Sequence, residues 1–386
     1  MIRAQDFLHA CLDRGFSFYT GTPCSYLKPI INYVIDNKEF SCINASNEGD
    51  AVALACGAVM AGKRSVVMFQ NSGLGNAVNP LTSLNYPFRI PLLLIVALRG
   101  EPGGPKDEPQ HELMGEITTA LLENMRIGWS YFPDSTDEIL AALEHADAFM
   151  EKEGLPFAFV MRKGAVESYK LNSFDKTSPI HHAVSHEENF CLPYNKRPTR
   201  NEALIVIQSI SGKGTAVIAT TGFNGREMYM LDDRNNQLYM VGSMGCALSI
   251  GTGIALHKPG LKVIVVDGDG ALLMRTGTMA TTCSCAPHNL IHILLDNEIH
   301  ESTGGQRTLS ANVSFPVIAK GFGYTHVCST DMLAEFKSCL TQAMEQNGPV
   351  FIHLKTRPGV PAGLGRPSVK PVQVKERFME YLGNFK

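Results

Sequence analysis

Two oxygen-bearing side chains each follow an apolar stretch of the sequence that is typical of a buried strand. Asp269 lies between Gly268 and Gly270, directly after one such stretch, and Asn297 follows another. In open α/β folds, ligands bind where parallel strands end, so we expect both side chains at one edge of a sheet. Carboxylate and amide oxygens are ligands that Mg²⁺ accepts, and the first N–H groups of the helix expected after Gly270 suit a diphosphate. The sequence therefore predicts a site for a divalent cation that carries a diphosphate.

The composition of the 386-residue chain is that of a globular protein, with 44% hydrophobic and 18% charged residues. A net charge of −3 without a basic stripe argues against nucleic acid as a partner. We expect no membrane span, because no apolar stretch approaches about 20 residues, and no signal peptide. Ten cysteines scattered through apolar segments favour reduced thiols and a cytoplasmic protein over a disulfide framework.

Helical patterns alternate with short apolar runs on both sides of a polar stretch that contains several prolines. Continuous apolar runs predict parallel strands that are buried on both faces, with helices packed against each face. We therefore predict an α/β protein with two doubly wound parallel-sheet domains. The first spans residues 1–165, the second spans 199–386 with a C-terminal tail, and residues 166–198 are expected to form a linker.

Asp269 with its flanking glycines and the later Asn297 resemble the thiamine diphosphate–Mg²⁺ motif of the 2-oxo acid decarboxylases and acetolactate synthases. The resemblance implies that Asp269, Asn297 and the backbone carbonyl of Ile299 hold Mg²⁺, which carries the diphosphate of the cofactor. It also implies a pyrimidine-binding first domain and a diphosphate-binding second domain, without the middle domain of longer relatives. One departure is Asp296, where the family usually has asparagine.

Glu48 precedes an alanine-rich stretch in the first domain. From the residues alone, it is an acidic side chain that the positive end of a helix dipole would favour. The resemblance implies instead that Glu48 is catalytic and hydrogen-bonds the pyrimidine ring of the cofactor, with Asp50 as the alternative if Glu48 is exposed. The resemblance also assigns cofactor contacts to Gly73, Gly222, Gly242, Met244, Gly268, Gly270 and Ala271. Met244 is expected to support the bent shape of the cofactor.

Several polar segments resemble the branch of the family that acts on phosphonopyruvate. One is segment 21–28, which departs at Cys24, where some members have aspartate. The resemblance implies conversion of phosphonopyruvate to phosphonoacetaldehyde and CO₂ in phosphonate biosynthesis. His111 is expected to be an acid–base group, because the neutral form of histidine is populated at pH 7. The side chains expected to bind the phosphonate are Ser25, Lys28, Lys106, His300 and Thr303.

Three functions remain open from the sequence. They are decarboxylation of phosphonopyruvate, decarboxylation of sulfopyruvate or another acidic 2-oxo acid, and binding of the cofactor by a non-catalytic subunit. In the family, residues of both domains hold one cofactor, and the two domains belong to different chains. The resemblance therefore implies self-association into at least a dimer, with the active site between subunits.

Overall fold

A computed structural model describes residues 1–173 and 185–385, with the backbone alone for residues 185–188. The chain divides into two compact units, Met1–Thr177 and Ser178–Lys386. Each unit is built around one parallel sheet, with helices between successive strands. The prediction of an α/β protein with two doubly wound parallel-sheet domains is confirmed.

The first unit contains six strands and seven α-helices in its described residues. The strands are β1 Phe16–Gly21, β2 Ser41–Asn44, β3 Arg64–Gln70, β4 Leu93–Ala97, β5 Gly128–Tyr131 and β6 Phe157–Met161. The helices are α1 Ala4–Asp13, α2 Lys28–Asp36, α3 Glu48–Met60, α4 Leu74–Pro80, α5 Tyr86–Phe88, α6 Glu112–Asn124 and α7 Ile139–Glu153. The sheet has the order β2-β1-β3-β4-β6-β5. Its inner strands β4 and β6 are buried throughout, which explains their continuous apolar sequences.

The second unit contains a seven-stranded parallel sheet and a short two-stranded one. The strands of the unit are, in chain order, β7 Ser185–Asn189, β8 Thr215–Ala219, β9 Gln237–Tyr239, β10 Lys262–Gly268, β11 Leu290–Asp296, β12 Ile299–His300, β13 Gln306–Arg307, β14 His326–Thr330 and β15 Val350–Lys355. Its helices are α8 Arg200–Ile210, α9 Phe223–Leu231, α10 Ala247–His257, α11 Asp269–Met274, α12 Gly277–Cys285, α13 Phe315–Phe322, α14 Leu333–Glu345 and α15 Pro371–Gly383. The sheet order is β7-β14-β15-β11-β10-β8-β9, and β12 and β13 form a separate antiparallel pair. Because β8, β10 and β11 are parallel neighbours, the loops that follow them meet at one edge.

The stretch 166–198, expected to be a linker, is described only in part, because residues 174–184 lie outside the described residues. At its start, Val166 forms a parallel bridge with Ile2. Further along, β7 pairs in parallel with β14 and adds an edge strand to the second sheet. The sequence of β7 is polar, so it carries no apolar periodicity that would predict a strand. The boundaries at 165 and 199 stay a prediction.

Two of the ten cysteines, Cys328 and Cys339, form a disulfide that joins β14 to α14. The expectation of reduced thiols is therefore wrong for this pair. The other eight cysteines are free. No helix in the described part of the chain is both long enough and apolar enough to cross a membrane.

Candidate active site

A cleft in the second unit lies at the carboxyl ends of β8, β10 and β11. The residues of the predicted cofactor and metal site that line it are Gly222, Met244, Gly268, Asp269, Gly270, Ala271, Asn297 and Ile299. His300, which was expected to bind substrate, lines the same cleft, whereas Gly242 and Thr303 do not. The lining also contains residues to which the sequence analysis gave no role, including Arg200, Asn224, Glu301, Ser302 and Thr356.

Asp269 begins α11 directly after β10, and only 3% of its surface is exposed. One of its carboxylate oxygens accepts a hydrogen bond from the hydroxyl of Thr308. Burial, together with the nearby charge of Asp296, raises the pKa of Asp269 to about 6. The groups that lower the pKa of Asp269 most are hydrogen-bond donors, namely the hydroxyl of Thr308 and the backbone N–H groups of Gly270 and Asp269, and not a cationic side chain. A buried carboxylate in this setting is a suitable ligand for a cation that is itself part of the site.

Asn297 follows β11, and two hydrogen bonds fix its amide. Its Nδ2 donates to Oε2 of Glu301 at 3.1 Å, and its Oδ1 accepts from the backbone N–H of Ile299 at 3.2 Å. In the sheet, Gly268 of β10 is in register with Leu295 of β11. The residues that follow the two strands therefore lie at the same sheet edge, which brings together the two side chains predicted to bind the metal.

Asp296, which stands where the family usually has asparagine, is held by hydrogen bonds of its own. It is fully buried, and its Oδ2 accepts hydrogen bonds from Nε2 of His353 at 3.0 Å and from Nζ of Lys355 at 2.8 Å. Its Oδ1 accepts from the hydroxyl of Ser310 at 3.0 Å. Burial alone would raise the pKa of Asp296, but the hydrogen bonds and charges of His353 and Lys355 lower it to about 2. The sequence alone does not bring His353 close to Asp296, because the pairing of β15 with β11 depends on the strand order.

The glycines of the cleft fit the close approach of a phosphate to the backbone. A Cβ on Gly270 would lie 2.5 Å from Cε1 of His300, so a side chain there would collide with the ring. Gly222 precedes α9 at φ +96°, a backbone conformation that favours glycine. The first N–H groups of a helix have no backbone acceptor within the helix, so those at the start of α9 can donate to an anion. At the start of α11, the backbone N–H groups of Asp269 and Gly270 donate to the carboxylate of Asp269. Together with the oxygen ligands of Asp269 and Asn297, the N–H groups at the start of α9 fit a divalent cation bound to a diphosphate.

Met244 lies in a tight turn that the neighbouring Ser243 enters at φ 51°. Its Cε would be 3.4 Å from a Cβ built on Gly270, so the side chain of Met244 packs beside the backbone that is predicted to bind the diphosphate. This position is compatible with the expected role of Met244 as a support for the cofactor. Gly242 is two residues earlier in the same turn.

Glu48 begins α3 in the first unit, and two side chains hold its half-buried carboxylate. Oε1 accepts a hydrogen bond from the hydroxyl of Thr22 at 2.9 Å, and Oε2 accepts one from Nδ2 of Asn76 at 2.7 Å. Gly73 packs directly against it, because a Cβ on Gly73 would lie 2.3 Å from Cγ of Glu48. Gly73, to which the resemblance assigns a cofactor contact, therefore helps to set the position of the predicted catalytic carboxylate.

Asp50, the alternative to Glu48, has a different task. It is only 1% exposed, and its Oδ2 accepts hydrogen bonds from the hydroxyl of Ser46 and from Nδ2 of Asn47, each at 2.6 Å. In return, Oδ1 of Asn47 caps α3 by accepting from the backbone N–H of Asp50 at 3.0 Å. These contacts use Asp50 to hold the start of the helix that carries Glu48.

His111 is the last residue of the loop between β4 and α6 and is 8% exposed. The backbone packs tightly around it. A Cβ on Gly100 would lie 2.1 Å from the carbonyl oxygen of His111, and a Cβ on Gly115 would lie 1.6 Å from the carbonyl oxygen of Gly100. These contacts fix the backbone position of His111.

The loop between β4 and α6 is closed by an ion pair between Arg99 and Asp107. The hydrogen bonds from Arg99 hold the pKa of Asp107 well below its usual range. Asp107 also accepts from the backbone N–H of Gly100 at 3.0 Å and from the hydroxyl of Tyr26 at 3.2 Å. The loop that carries Lys106 and His111 is thereby tied to segment 21–28.

The five predicted substrate-binding residues lie in different places. Ser25 and Lys28 line one surface pocket of the first unit, Lys106 lines another, and all three are exposed. In the second unit, Thr303 is exposed, and its hydroxyl donates to the carbonyl oxygen of His300 at 3.2 Å. Of these five described residues, His300 alone lines the cleft that contains the predicted metal ligands.

Comparisons with known proteins define the class to which this site belongs. The model of the N-terminal TPP binding domain of thiamine pyrophosphate enzymes matches residues 2–120, and the model of their C-terminal TPP binding domain matches residues 220–354. The chain belongs to the thiamine pyrophosphate enzyme family. Its cofactor is thiamine pyrophosphate (thiamine diphosphate), and Mg²⁺ is the usual partner metal in this family.

Within that family, the chain is similar along almost its whole length to phosphonopyruvate decarboxylases. It is 44% identical to the one from Streptomyces viridochromogenes, over 99% of this chain and 95% of the relative, and 42% identical to the one from Streptomyces hygroscopicus, over 99% and 94%. The sulfopyruvate decarboxylase of Methanosarcina acetivorans is 28% identical over 95% of this chain and 94% of the relative. The fold resembles the crystal structure of benzoylformate decarboxylase from Polynucleobacter necessarius, with a TM-score of 0.72 and 13% identity over 94% of this chain and 100% of that chain.

Proposed function

We propose that this protein is a carboxy-lyase that converts 3-phosphonopyruvate to phosphonoacetaldehyde and CO₂ in phosphonate biosynthesis. The observation that carries the proposal is the 44% identity to a phosphonopyruvate decarboxylase over 99% of the chain. A sulfopyruvate decarboxylase is less similar, at 28% identity. The buried carboxylate and amide at the sheet edge of the second unit support the use of Mg²⁺ and the diphosphate cofactor.

When bound, thiamine diphosphate supplies the nucleophilic carbon and the electron sink that decarboxylation of a 2-oxo acid requires. In our proposal, Asp269, Asn297 and the carbonyl oxygen of Ile299 hold Mg²⁺ and thereby place the diphosphate. Glu48 holds a proton between its carboxyl group and the pyrimidine ring. Thr22 and Asn76 support this role, since their hydrogen bonds fix the carboxylate of Glu48.

We assign His111 the acid–base step at the reacting carbon. Its burial and the close packing of Gly100 and Gly115 support this role, because a proton donor must be held in one place to be effective. For the phosphonate we retain Ser25, Lys28, Lys106, His300 and Thr303 as candidates. His300 has the strongest support, since it lies over Gly270 in the cleft.

We further propose that the protein works as at least a dimer in the cytoplasm. Glu48 belongs to the first unit and Asp269 to the second, and in this family one cofactor is held by the first domain of one chain and the second domain of another. The eight free cysteines support a reducing compartment.

The proposal is tested by incubating the purified protein with thiamine diphosphate, Mg²⁺ and phosphonopyruvate while CO₂ and aldehyde are measured. We expect both products, and we expect Glu48→Gln to lower their formation by about 10²–10⁴-fold, the usual worth of a positioned proton-transfer group. Wild-type protein that binds the cofactor but releases no CO₂ would support the non-catalytic subunit instead. Equal or faster turnover of sulfopyruvate would support the alternative substrate.

A further inference from the structure

Glu301 lies four residues after Asn297 and lines the same cleft, but none of the roles discussed so far belongs to it. Its carboxylate is surrounded by three donors. Oε2 accepts from Nη1 of Arg200 at 2.8 Å and from Nδ2 of Asn297 at 3.1 Å, and Oε1 accepts from the backbone N–H of Gly359 at 2.7 Å. Glu301 therefore joins a predicted metal ligand to an arginine on α8 and to the segment after β15.

The guanidinium of Arg200 is itself fixed. Arg200 is 7% exposed, and its Nε donates to Oε1 of the fully buried Glu227 at 2.9 Å. A second hydrogen bond joins Nη2 to the same oxygen. The guanidinium of Arg200 thus donates hydrogen bonds to two carboxylates, that of the buried Glu227 and that of Glu301 in the cleft. Because a buried ion pair of this geometry is costly to distort, it holds Glu301 in place.

The contacts of Asn297 permit only one orientation of its amide. In the orientation present, Nδ2 donates to Glu301 and Oδ1 accepts from the N–H of Ile299. If the amide were rotated by half a turn, its oxygen would face a carboxylate that can only accept, and its nitrogen would face an N–H that can only donate. Glu301 therefore selects the orientation in which the oxygen, and not the nitrogen, is presented away from Glu301.

A hard cation such as Mg²⁺ binds the oxygen of an asparagine and is repelled by its amide N–H₂. We propose that Glu301 is a positioning residue, which orients the amide of Asn297 for Mg²⁺ and is held by Arg200 for that purpose. The inference rests on the thiamine diphosphate site that the proposed function also uses. Residues that orient metal ligands in this way typically change metal affinity by about 10–100-fold when they are removed.

The test is a binding measurement without substrate. Thiamine diphosphate is titrated into wild-type and Glu301→Ala protein by calorimetry at a series of Mg²⁺ concentrations. We expect the Mg²⁺ concentration for half-maximal cofactor binding to rise about 10–100-fold in the variant. Glu301→Gln provides a second variant that keeps the side-chain volume in case Glu301→Ala does not fold. It can still accept from Asn297 but loses the contact with Gly359, so a smaller rise is expected.

A crossed pair of variants separates orientation from general support of the fold. In Asn297→Asp, the side chain at position 297 is a carboxylate with an oxygen on both sides, so Glu301 is no longer needed to turn an oxygen toward Mg²⁺. The substitution also places two carboxylates, those of residues 297 and 301, next to each other. Glu301→Ala is therefore expected to raise the required Mg²⁺ concentration in the wild type but to leave it unchanged, or lower it, in the Asn297→Asp background.

A matched control is Glu335→Ala, since Glu335 also accepts from an asparagine amide, that of Asn189 at 3.1 Å, but does not line the cleft. We expect no change in its Mg²⁺ requirement. The inference is overturned if both Glu301 variants bind with the Mg²⁺ requirement of the wild type, or if Glu301→Ala has the same effect in both backgrounds. Failure of the proposed function would be seen separately, as the absence of phosphonopyruvate turnover by wild-type protein.

Discussion

The carboxylate of Glu48 depends on the absence of a side chain at position 73. The hydrogen bonds from Thr22 and Asn76 define one position for it, and Gly73 leaves the space that this position requires. Gly73 is therefore needed at this position for a steric reason, since it leaves room for the side chain of Glu48.

We predict that Gly73→Ala lowers decarboxylation by about 10²-fold or more, the lower end of what a displaced proton-transfer group costs. The added Cβ would lie 2.3 Å from Cγ of Glu48, so the carboxylate must move. Steady-state CO₂ release measures the effect. The matched control is Gly75→Ala, because a Cβ on Gly75 meets nothing within 4 Å. Equal activity of the two variants would show that the position of Glu48 is not critical.

Asp296 is the residue at which the chain departs from the family asparagine, and its charge is balanced by Lys355, which is only 14% exposed. Asp296→Asn would leave this lysine with Glu298 alone, at 3.1 Å. We predict that the substitution lowers the free energy of unfolding by about 3 kcal/mol, as expected when one partner of a buried pair is removed. Urea unfolding of the apo protein measures the change.

The control for this prediction is the double variant Asp296→Asn, Lys355→Met, which removes the uncompensated cation. It should recover at least half of the lost stability. An Asp296→Asn protein as stable as the wild type would mean that the family asparagine is tolerated without any change in its surroundings.

At the scale of helices and strands, the loop between β4 and α6 is held by Asp107, which accepts from Arg99, Gly100 and Tyr26. We predict that Asp107→Asn frees the loop and accelerates amide hydrogen exchange across residues 100–111, because the ion pair and its backbone hydrogen bond weaken together. Decarboxylation should fall as well, since His111 lies in this segment.

Glu112→Gln is the control for the loop prediction, because Glu112 is exposed and follows the same segment. Its exchange should match that of the wild type. If the exchange of residues 100–111 in Asp107→Asn is also unchanged, the ion pair does not order the loop.

The strands that place the two predicted metal ligands could be predicted from the sequence. Continuous apolar runs identified β10 and β11, and parallel pairing then required Asp269 and Asn297 to lie at one sheet edge. The partners of these residues could not be predicted in the same way. Lys355 lies opposite Asp296 only because β15 is the neighbour of β11, and Arg200 reaches Glu301 from a helix about a hundred residues earlier in the chain.

Two further features had no signal in the sequence. The strand β7 is polar and owes its assignment to pairing with β14 at the sheet edge, where apolar periodicity is not required. The disulfide between Cys328 and Cys339 joins a strand to the following helix, and nothing in the cysteine spacing distinguishes this pair from the eight free thiols. Both features depend on tertiary proximity and not on local pattern.

At the scale of the whole molecule, the proposal that Glu48 of one chain and Asp269 of another hold one cofactor leads to a prediction about assembly. Glu48→Ala and Asp269→Ala should each be inactive alone. When the two are unfolded, mixed in equal amounts and refolded, about a quarter of the wild-type activity should return, because half of the dimers are mixed and each mixed dimer has one intact site.

The complementation experiment contradicts our account if no activity returns although both variants refold, since each site would then use Glu48 and Asp269 of the same chain. A mixture of Glu48→Ala with Glu48→Gln is the control and should remain inactive. Size-exclusion chromatography of the refolded mixture confirms that dimers have formed.

We propose that this thiamine pyrophosphate enzyme acts on phosphonopyruvate, and a competition between two substrates tests the proposal. One solution contains equal concentrations of phosphonopyruvate and sulfopyruvate, with thiamine diphosphate and Mg²⁺ present. Nuclear magnetic resonance follows the disappearance of both acids. We predict that phosphonopyruvate is consumed first and gives phosphonoacetaldehyde, and that omission of either the cofactor or Mg²⁺ stops the reaction. Preferential consumption of sulfopyruvate, or consumption of neither acid, would contradict the account.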